Sequence, residues 1–200
     1  MEADTPRNSP SRDHGVRRIT EAAVLSAIAH PFRNRILDAL KVDGPSTASS
    51  LSKRTGQAVG SVSHHLKVLA DVGLVEEVPE LARDRRERWW RLVSAGFRWS
   101  RSDLAGDPVA AEAGAAAESI SLTRQVERKR AWMDNSEAAG QWGDTAFATQ
   151  QWLHLTPGEL DELSAEIIEV LTRWSARAAP DDDAEREPVF VFAHGFPSQP

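Results

Sequence analysis

The stretch GQAVGSVSHHLKVLADVGLV, from Gly56 to Val75, leaves its chain little choice of local structure. Val62, His65, Leu66 and Leu69 recur at spacings of three and four and so share one side of an α-helix. Gly60, Ser61, His64 and Lys67 fall on the opposite, polar side. The pattern predicts a helix from about Val59 to Val72, closed by Gly73, with one side fixed to a core and the other open. The adjacent histidines point about 100° apart on such a helix, so they cannot share a ligand face, and a helical metal pair needs a spacing of four. His65 is therefore expected against the domain core and His64 on the open face. No nucleophile or carboxylate has a readable partner nearby, so catalysis is not expected there.

The flanking sequence places this helix in a larger pattern. Ile19, Ala22, Ala23 and Ile28 predict a helix over Ile19 to Ala29. HPFRNRILDALKVDG predicts a second, with Pro31 in its first turn, Phe32, Ile36, Leu37 and Leu40 on one face, and Gly44-Pro45 as its end. STASSLSKRTG predicts a short third, capped by Ser46 or Thr47 and stopped by Gly56. After the fourth helix, LVEEVPE and RERWWRLV read as a hairpin with Val75, Val78, Trp90 and Leu92 inward and Arg83, Asp84, Arg85 and Arg86 at the joint. Helix, helix, helix-turn-helix, hairpin is the order of a winged helix.

Charge separates this part from the rest. Residues 20–101 carry thirteen basic and nine acidic side chains, whereas 102–200 carry seven and eighteen. That asymmetry points to a polyanion partner at one end only, and 20 of the 24 basic residues are arginine, the side chain suited to bidentate phosphate contacts. The absence of cysteine excludes disulfides, thiolate metal sites and thiol redox sensing. Residues 1–18 read as a disordered arm without the apolar core of a signal peptide, and no run is long and apolar enough to span a bilayer, so a cytoplasmic protein is expected.

The second half is expected to be a separate dimerisation or effector domain over 101–200. Asp107-Pro108 opens a long Ala-rich helix to about Trp132, whose Val109, Ala113, Ala116 and Ile120 form a seam for another helix, with Ile19 to Ala29 packed beside it. FATQQWLHL and EPVFVFAHGFP read as buried strands on either side of a helix in TPGELDELSAEIIEVLTRWSARA, which carries a capping box at Thr156 and Glu159. Trp132, Trp142, Trp152, Trp174, Phe147, Phe190 and Phe192 fill a small core or line an effector pocket, Phe190 and the four tryptophans being the pocket candidates.

AHPFRNRILDAL, LSKRTGQAVGSVSHHLKVLADVGLVE and RRERWWRLV together resemble the ArsR-type winged-helix repressors over about residues 20–95. The resemblance implies a homodimeric transcriptional regulator that occupies a palindromic operator and leaves it on a signal. It implies that Val59, Gly60, Ser61, Ser63 and His64 face the DNA groove and that Lys67 lies near a phosphate. Short polar side chains allow the close approach that the major groove requires, and with only Gln57 as a forked amide nearby, DNA shape and the wing should carry part of the specificity. Arg83, Arg85, Arg86 and Arg88 would clamp phosphates or enter the minor groove, unless they are only a solvated turn. Thr47 and Ser49 would offer phosphates their hydroxyls and free N–H groups. Arg33 and Arg35 are open between a backbone contact and an acidic partner.

The chain departs from the family's metal sensors: its third helix has no thiol, its long helix has no histidine, and His154 and His194 lack further ligands. The expectation is thus a mainly α (α+β) fold, with a winged helix-turn-helix domain over 19–100, a long dimerisation helix and a small α+β C-terminal module. Double-stranded DNA, a second copy and an organic or other non-thiol effector are the expected partners, with no metal, cofactor or enzyme activity. The alternative is a winged-helix module that binds protein instead of DNA. An enzyme ranks last, because residues 102–200 hold no phosphate loop, nucleophile elbow or ligand-spaced histidine cluster.

Overall fold

The computed structural model describes residues 16–84, 86–135 and 140–200. Contacts within the chain divide it into two units, Met1–Arg124 and Gln125–Pro200.

The first unit runs β1 (Val16–Arg18), α1 (Ala22–Ile28), α2 (Pro31–Asp43), β2 (Ser46–Thr47), α3 (Ala48–Thr55), α4 (Val59–Asp71), β3 (Val75–Glu77), β4 (Trp89–Leu92), β5 (Gly96–Arg98), α5 (Arg101–Leu104) and the start of α6 (Pro108–Asp134). β2, β4 and β3 form a three-stranded antiparallel sheet in that order, and β1 pairs in parallel with β5. This is an α+β winged helix-turn-helix. One apolar core unites the elements, with Leu25, Ile36, Leu51, Val62, Leu66, Leu69 and Leu74 almost wholly buried. At the turn between α3 and α4, Gly56 adopts φ +70°, the left-handed conformation that ends α3 without a Cβ penalty.

Two expectations for the N-terminal region are corrected. Residues 16–18 are a strand and not part of a disordered arm, while residues 1–15 lie outside the described residues. The first helix begins at Ala22, three residues after Ile19, because Ile19 is held in extended continuation of β1 by donating its N–H to the Arg98 carbonyl. Ile19 is still fully buried, so its apolar character was read correctly and its backbone was not. Neither β5 nor α5 stands out from the sequence pattern. α5 is fixed by a capping box between Ser100 and Asp103, and Asp103 is in turn ion-paired with Arg18.

α6 begins where Asp107 accepts hydrogen bonds from the Val109 and Ala110 N–H groups, as its Asp-Pro start predicts. Ala110, Gly114 and Ala117 are its buried residues. Of the expected seam, Val109 and Ala116 are exposed and Ala113 and Ile120 half-buried. Gly114 lies in close approach to α5, where an added Cβ would come 2.6 Å from Leu104 Cδ1 and that side chain would have to shift. Arg124 ties the helix to α2 through Asp38 (2.7 Å), in a pair largely shielded from water.

The second unit contains α7 (Pro157–Ser175), opened by the expected Thr156–Glu159 capping box. The two expected strands around it are not strands. Residues 146–155 and 187–197 run without assigned secondary structure and their side chains are exposed, because among the described residues no backbone–backbone hydrogen bond reaches residues 147–155 or 183–200. The small α+β module is therefore a helix flanked by two unladdered apolar segments.

Candidate nucleic-acid interface

α4 is the element around which the site is built. Val62, Leu66 and Leu69 are fully buried and fix the helix to the core. The opposite face presents Val59, Gly60, Ser63, His64 and Lys67 to solvent, with Ser61 half-buried at its edge. A Cβ added at Gly60 would meet nothing within 4 Å, so the close-approach surface here is open. Ala58 precedes α4 and no side chain caps its first turn, which leaves N–H donors unsatisfied at the end that carries the small polar residues.

The α3–α4 turn holds this face in place. Thr47 caps α3 by accepting from Ser50 N–H at 3.2 Å, which commits its hydroxyl locally, while Ser49 in the same turn is exposed. Ser52 donates to the Gln57 carbonyl across the turn, and the Gln57 side chain is left exposed. Arg35 donates to the Thr55 carbonyl at 2.8 Å and so closes the C-terminus of α3 from α2. Arg33 donates to the Ala27 and Ser26 carbonyls at 2.7 and 2.9 Å. Both arginines clamp helix ends, so the acidic partner considered for them is not what they bind.

The hairpin forms in the expected register of inward residues. Val75 faces Leu92 and Glu77 faces Trp90, with Val75, Val78 and Trp90 buried. Glu76 and Arg91, directly opposite, form a 2.7 Å ion pair that fastens the wing on its outer face. At the tip Asp84 accepts from the Arg86 and Glu87 N–H groups, and Glu87 accepts from the Arg83 N–H. The acids near the tip thus organise its backbone. The side chains of Arg83 and Arg86 are exposed, and Arg88 makes only an exposed 3.4 Å pair with Glu77. Arg85 lies outside the described residues.

Behind α4 lies a cluster that the periodicity only half disclosed. His65 sits between His30 (ring centroids 4.8 Å apart) and Phe32 (5.0 Å), with its Nδ1 buried and without a hydrogen-bond partner. His30 caps α2, its Nδ1 accepting from the Phe32 and Arg33 N–H groups at 3.2 and 3.4 Å. Burial, and then the Arg33 charge, holds the His30 pKa below the usual histidine value. Burial lowers that of His65 too, with His30, His64 and Arg33 adding repulsion. Sequence reasoning placed His65 against the core and missed His30, although the position just before Pro31 was the available signal for a cap.

The proposed effector aromatics are placed as follows. Trp132 and Trp142 are half-buried, Trp142 donating to Glu187 at 2.9 Å; Trp152 and Trp174 are exposed; Phe190 lies under Arg128 at 4.6 Å. No ring contact joins any two of the five among the described residues. A groove of about 650 Å³ lies elsewhere, in the first unit, lined among others by Phe97, Trp99, Leu104, Ala111 and Gly114. Among the described residues, no cluster of three or more potential ligands could hold a metal ion, and no helix is long and apolar enough to cross a membrane.

A helix-turn-helix domain family matches residues 28–78, the segment from the end of α1 through β3. Among solved structures, the chain is similar to a mutant of Lactococcus lactis ZitR in apo form, at 15% identity and a TM-score of 0.24, over 78% of this chain and 81% of that one. No curated protein matches the chain.

Proposed function

We propose that this protein is a homodimeric, sequence-specific DNA-binding repressor of the ArsR type, with α4 in the major groove and the wing on the adjoining backbone. The observation that carries the reading is the division of α4: an apolar side locked by Val62, Leu66 and Leu69, and an exposed side of Gly60, Ser63, His64 and Lys67 beside an uncapped N-terminal turn. A helix held rigidly behind and bare in front suits a groove about 12 Å wide. Unsatisfied first-turn N–H groups and the helix dipole favour phosphate at the same end. Arg83, Arg85, Arg86 and Arg88 supply sequence-independent attraction from the wing, Ser49 and Gln57 lie on the approach to α4, and Thr47 acts through the cap it gives α3. Ser61, Ser63 and His64 read bases weakly, so groove shape carries much of the specificity.

Repression follows from occupancy of an operator, and release from an organic effector or another signal that is not sensed through a protein thiol, since the chain contains no cysteine. A two-fold dimer reads an inverted repeat with half-site centres roughly 34–36 Å apart, or a multiple of that distance. Selection of full-length protein on a randomised duplex pool at moderate salt tests the reading. One palindromic motif is the expected product. A folded, dimeric protein that enriches no sequence would favour a protein-binding winged helix instead.

A further inference from the structure

One of the two apolar segments of the second unit, residues 188–196, has the side-chain spacing of a strand and, among the described residues, no ladder. Phe190 and Phe192 (ring centroids 5.8 Å apart) and Phe192 and His194 (5.9 Å) succeed each other at a spacing of two, as on one face of a strand. That face is seated on the end of α6, where Arg128 lies over Phe190 and Gln125 Oε1 meets His194 Nε2 at 2.7 Å. At Gly195 an added Cβ would come 3.1 Å from Leu160 Cδ1 of α7. Side chains thus hold the segment extended, yet no backbone–backbone hydrogen bond reaches it or residues 147–155 among the described residues.

Its surface is as incomplete as its backbone. Phe147, Trp152, Leu153, Val189, Val191 and Phe196 keep between 44% and 73% of their area exposed. With roughly 150–250 Å² for each Phe or Trp and about 150 Å² for each Val or Leu, these six side chains expose on the order of 600–800 Å² of apolar surface. The largest apolar patch on a typical monomer is about 300–600 Å², and a standard interface takes about 800 Å² from each partner. The charged guards of a free edge are also absent: no Asp, Glu, Lys or Arg occurs from Thr145 to Gly158 or from Pro188 to Pro200. The acids of this unit sit outside both segments, so juxtaposing two copies brings no like charges together within them.

We propose that these segments are strands of an intermolecular sheet completed by a second copy of the chain, with 188–196 pairing antiparallel to its counterpart about a two-fold axis. A charge-free, unladdered strand is self-complementary under that symmetry, and the occupant is present at equal stoichiometry wherever the protein is. The proposal rests on the dimer of the functional reading and gives it an interface in the second unit. It needs no DNA, so it stands or falls independently of operator binding.

Hydrogen exchange of the full chain without DNA, over a dilution series spanning dissociation measured by light scattering, tests it. The expected result is slow exchange at the amides of 188–196 that is lost on dilution as the mass falls to that of a monomer. Val191→Asp should abolish that protection and weaken self-association roughly tenfold or more. Val191→Ile should preserve both. Unchanged protection in α2 to α4 certifies that the Asp variant is folded. Protection that persists at every dilution means that the chain covers the segments itself, and overturns the proposal. Fast exchange at every concentration, or a Val191→Asp variant that keeps both dimer and protection, overturns it equally.

Discussion

The ring of His30, which caps α2, lies 4.8 Å from the ring of His65 on α4, and the two share a half-buried space with Phe32. Two helices of the domain thus meet through a pair of imidazoles whose neutral forms are favoured there. His30 must be unprotonated at Nδ1 to accept from α2, and His65 has a buried Nδ1 beside Arg33, the dominant repulsions being burial and then neighbouring positive charge.

Stability should therefore fall on acidification. Both folded-state pKa values lie below the ordinary 6.5, so below that pH the unfolded chain binds protons that the folded chain refuses. The contribution is intact above 6.5 and declines as pH falls from there toward the folded values. Thermal unfolding at pH 7.5 and 5.5 reads the effect, with the lower Tm at pH 5.5. His30→Asn keeps a capping side chain without a titrating ring and should flatten the dependence. An equally steep decline in that variant would remove His30 from the account.

Arg35 is expected to act on stability and not on DNA contact. Its hydrogen bond to the Thr55 carbonyl satisfies the end of α3, and a charged donor of this kind contributes about 1.5–3 kcal/mol. Arg35→Ala should lower unfolding free energy by about that amount while leaving the salt dependence of DNA binding unchanged. Denaturant titration and binding isotherms at two salt concentrations separate the two. A flatter salt slope would place Arg35 at a phosphate.

Much of the first unit was legible because its signals are local. The buried stripe of α4, the glycines at 56 and 73, the Thr47 cap and the inward residues of β3 and β4 each follow from spacing or turn chemistry within a few residues. The parallel pairing of Val16–Arg18 with Gly96–Arg98 was not legible, since it joins short segments some eighty residues apart with no periodicity of their own. The roles of Arg33 and Arg35 depend on which carbonyls tertiary packing brings within reach, so the sequence left them open between a backbone contact and an acidic partner. In the second unit the strand pattern was genuine at Phe190, Phe192 and His194. What failed was the inference that an apolar strand pattern must carry a backbone ladder, since among the described residues no backbone–backbone hydrogen bond reaches residues 183–200.

Gly60 separates stability from binding. It lies within α4 with ordinary backbone angles and open space where a Cβ would stand, so Gly60→Ala should raise stability by about 0.5–1 kcal/mol through helix propensity. If the N-terminal turn of α4 enters the groove, the added methyl lies between helix and bases. Affinity for the selected operator should then fall while Tm rises. A stabilised variant that binds as well as the parent would move the groove contact away from this turn.

The wing arginines should govern how binding responds to salt. Each phosphate contact contributes about −0.9 to the slope of log K against log salt. Arg83 and Arg86 have exposed side chains, and the nearby acids Asp84 and Glu87 accept from tip backbone N–H groups. Replacing both with Ala removes up to four cationic groups from a dimer, so the slope should become shallower by roughly 2–4 and affinity should fall alike on operator and random DNA. Ser63→Ala or His64→Ala should do the reverse, weakening the operator more than random DNA and leaving the slope in place. Titrations of the three variants on both duplexes across a salt series distinguish these effects. An unchanged slope in the Arg83 and Arg86 variant would take the wing out of the interface, and an equal loss on both duplexes for Ser63 or His64 would deny α4 its part in reading sequence.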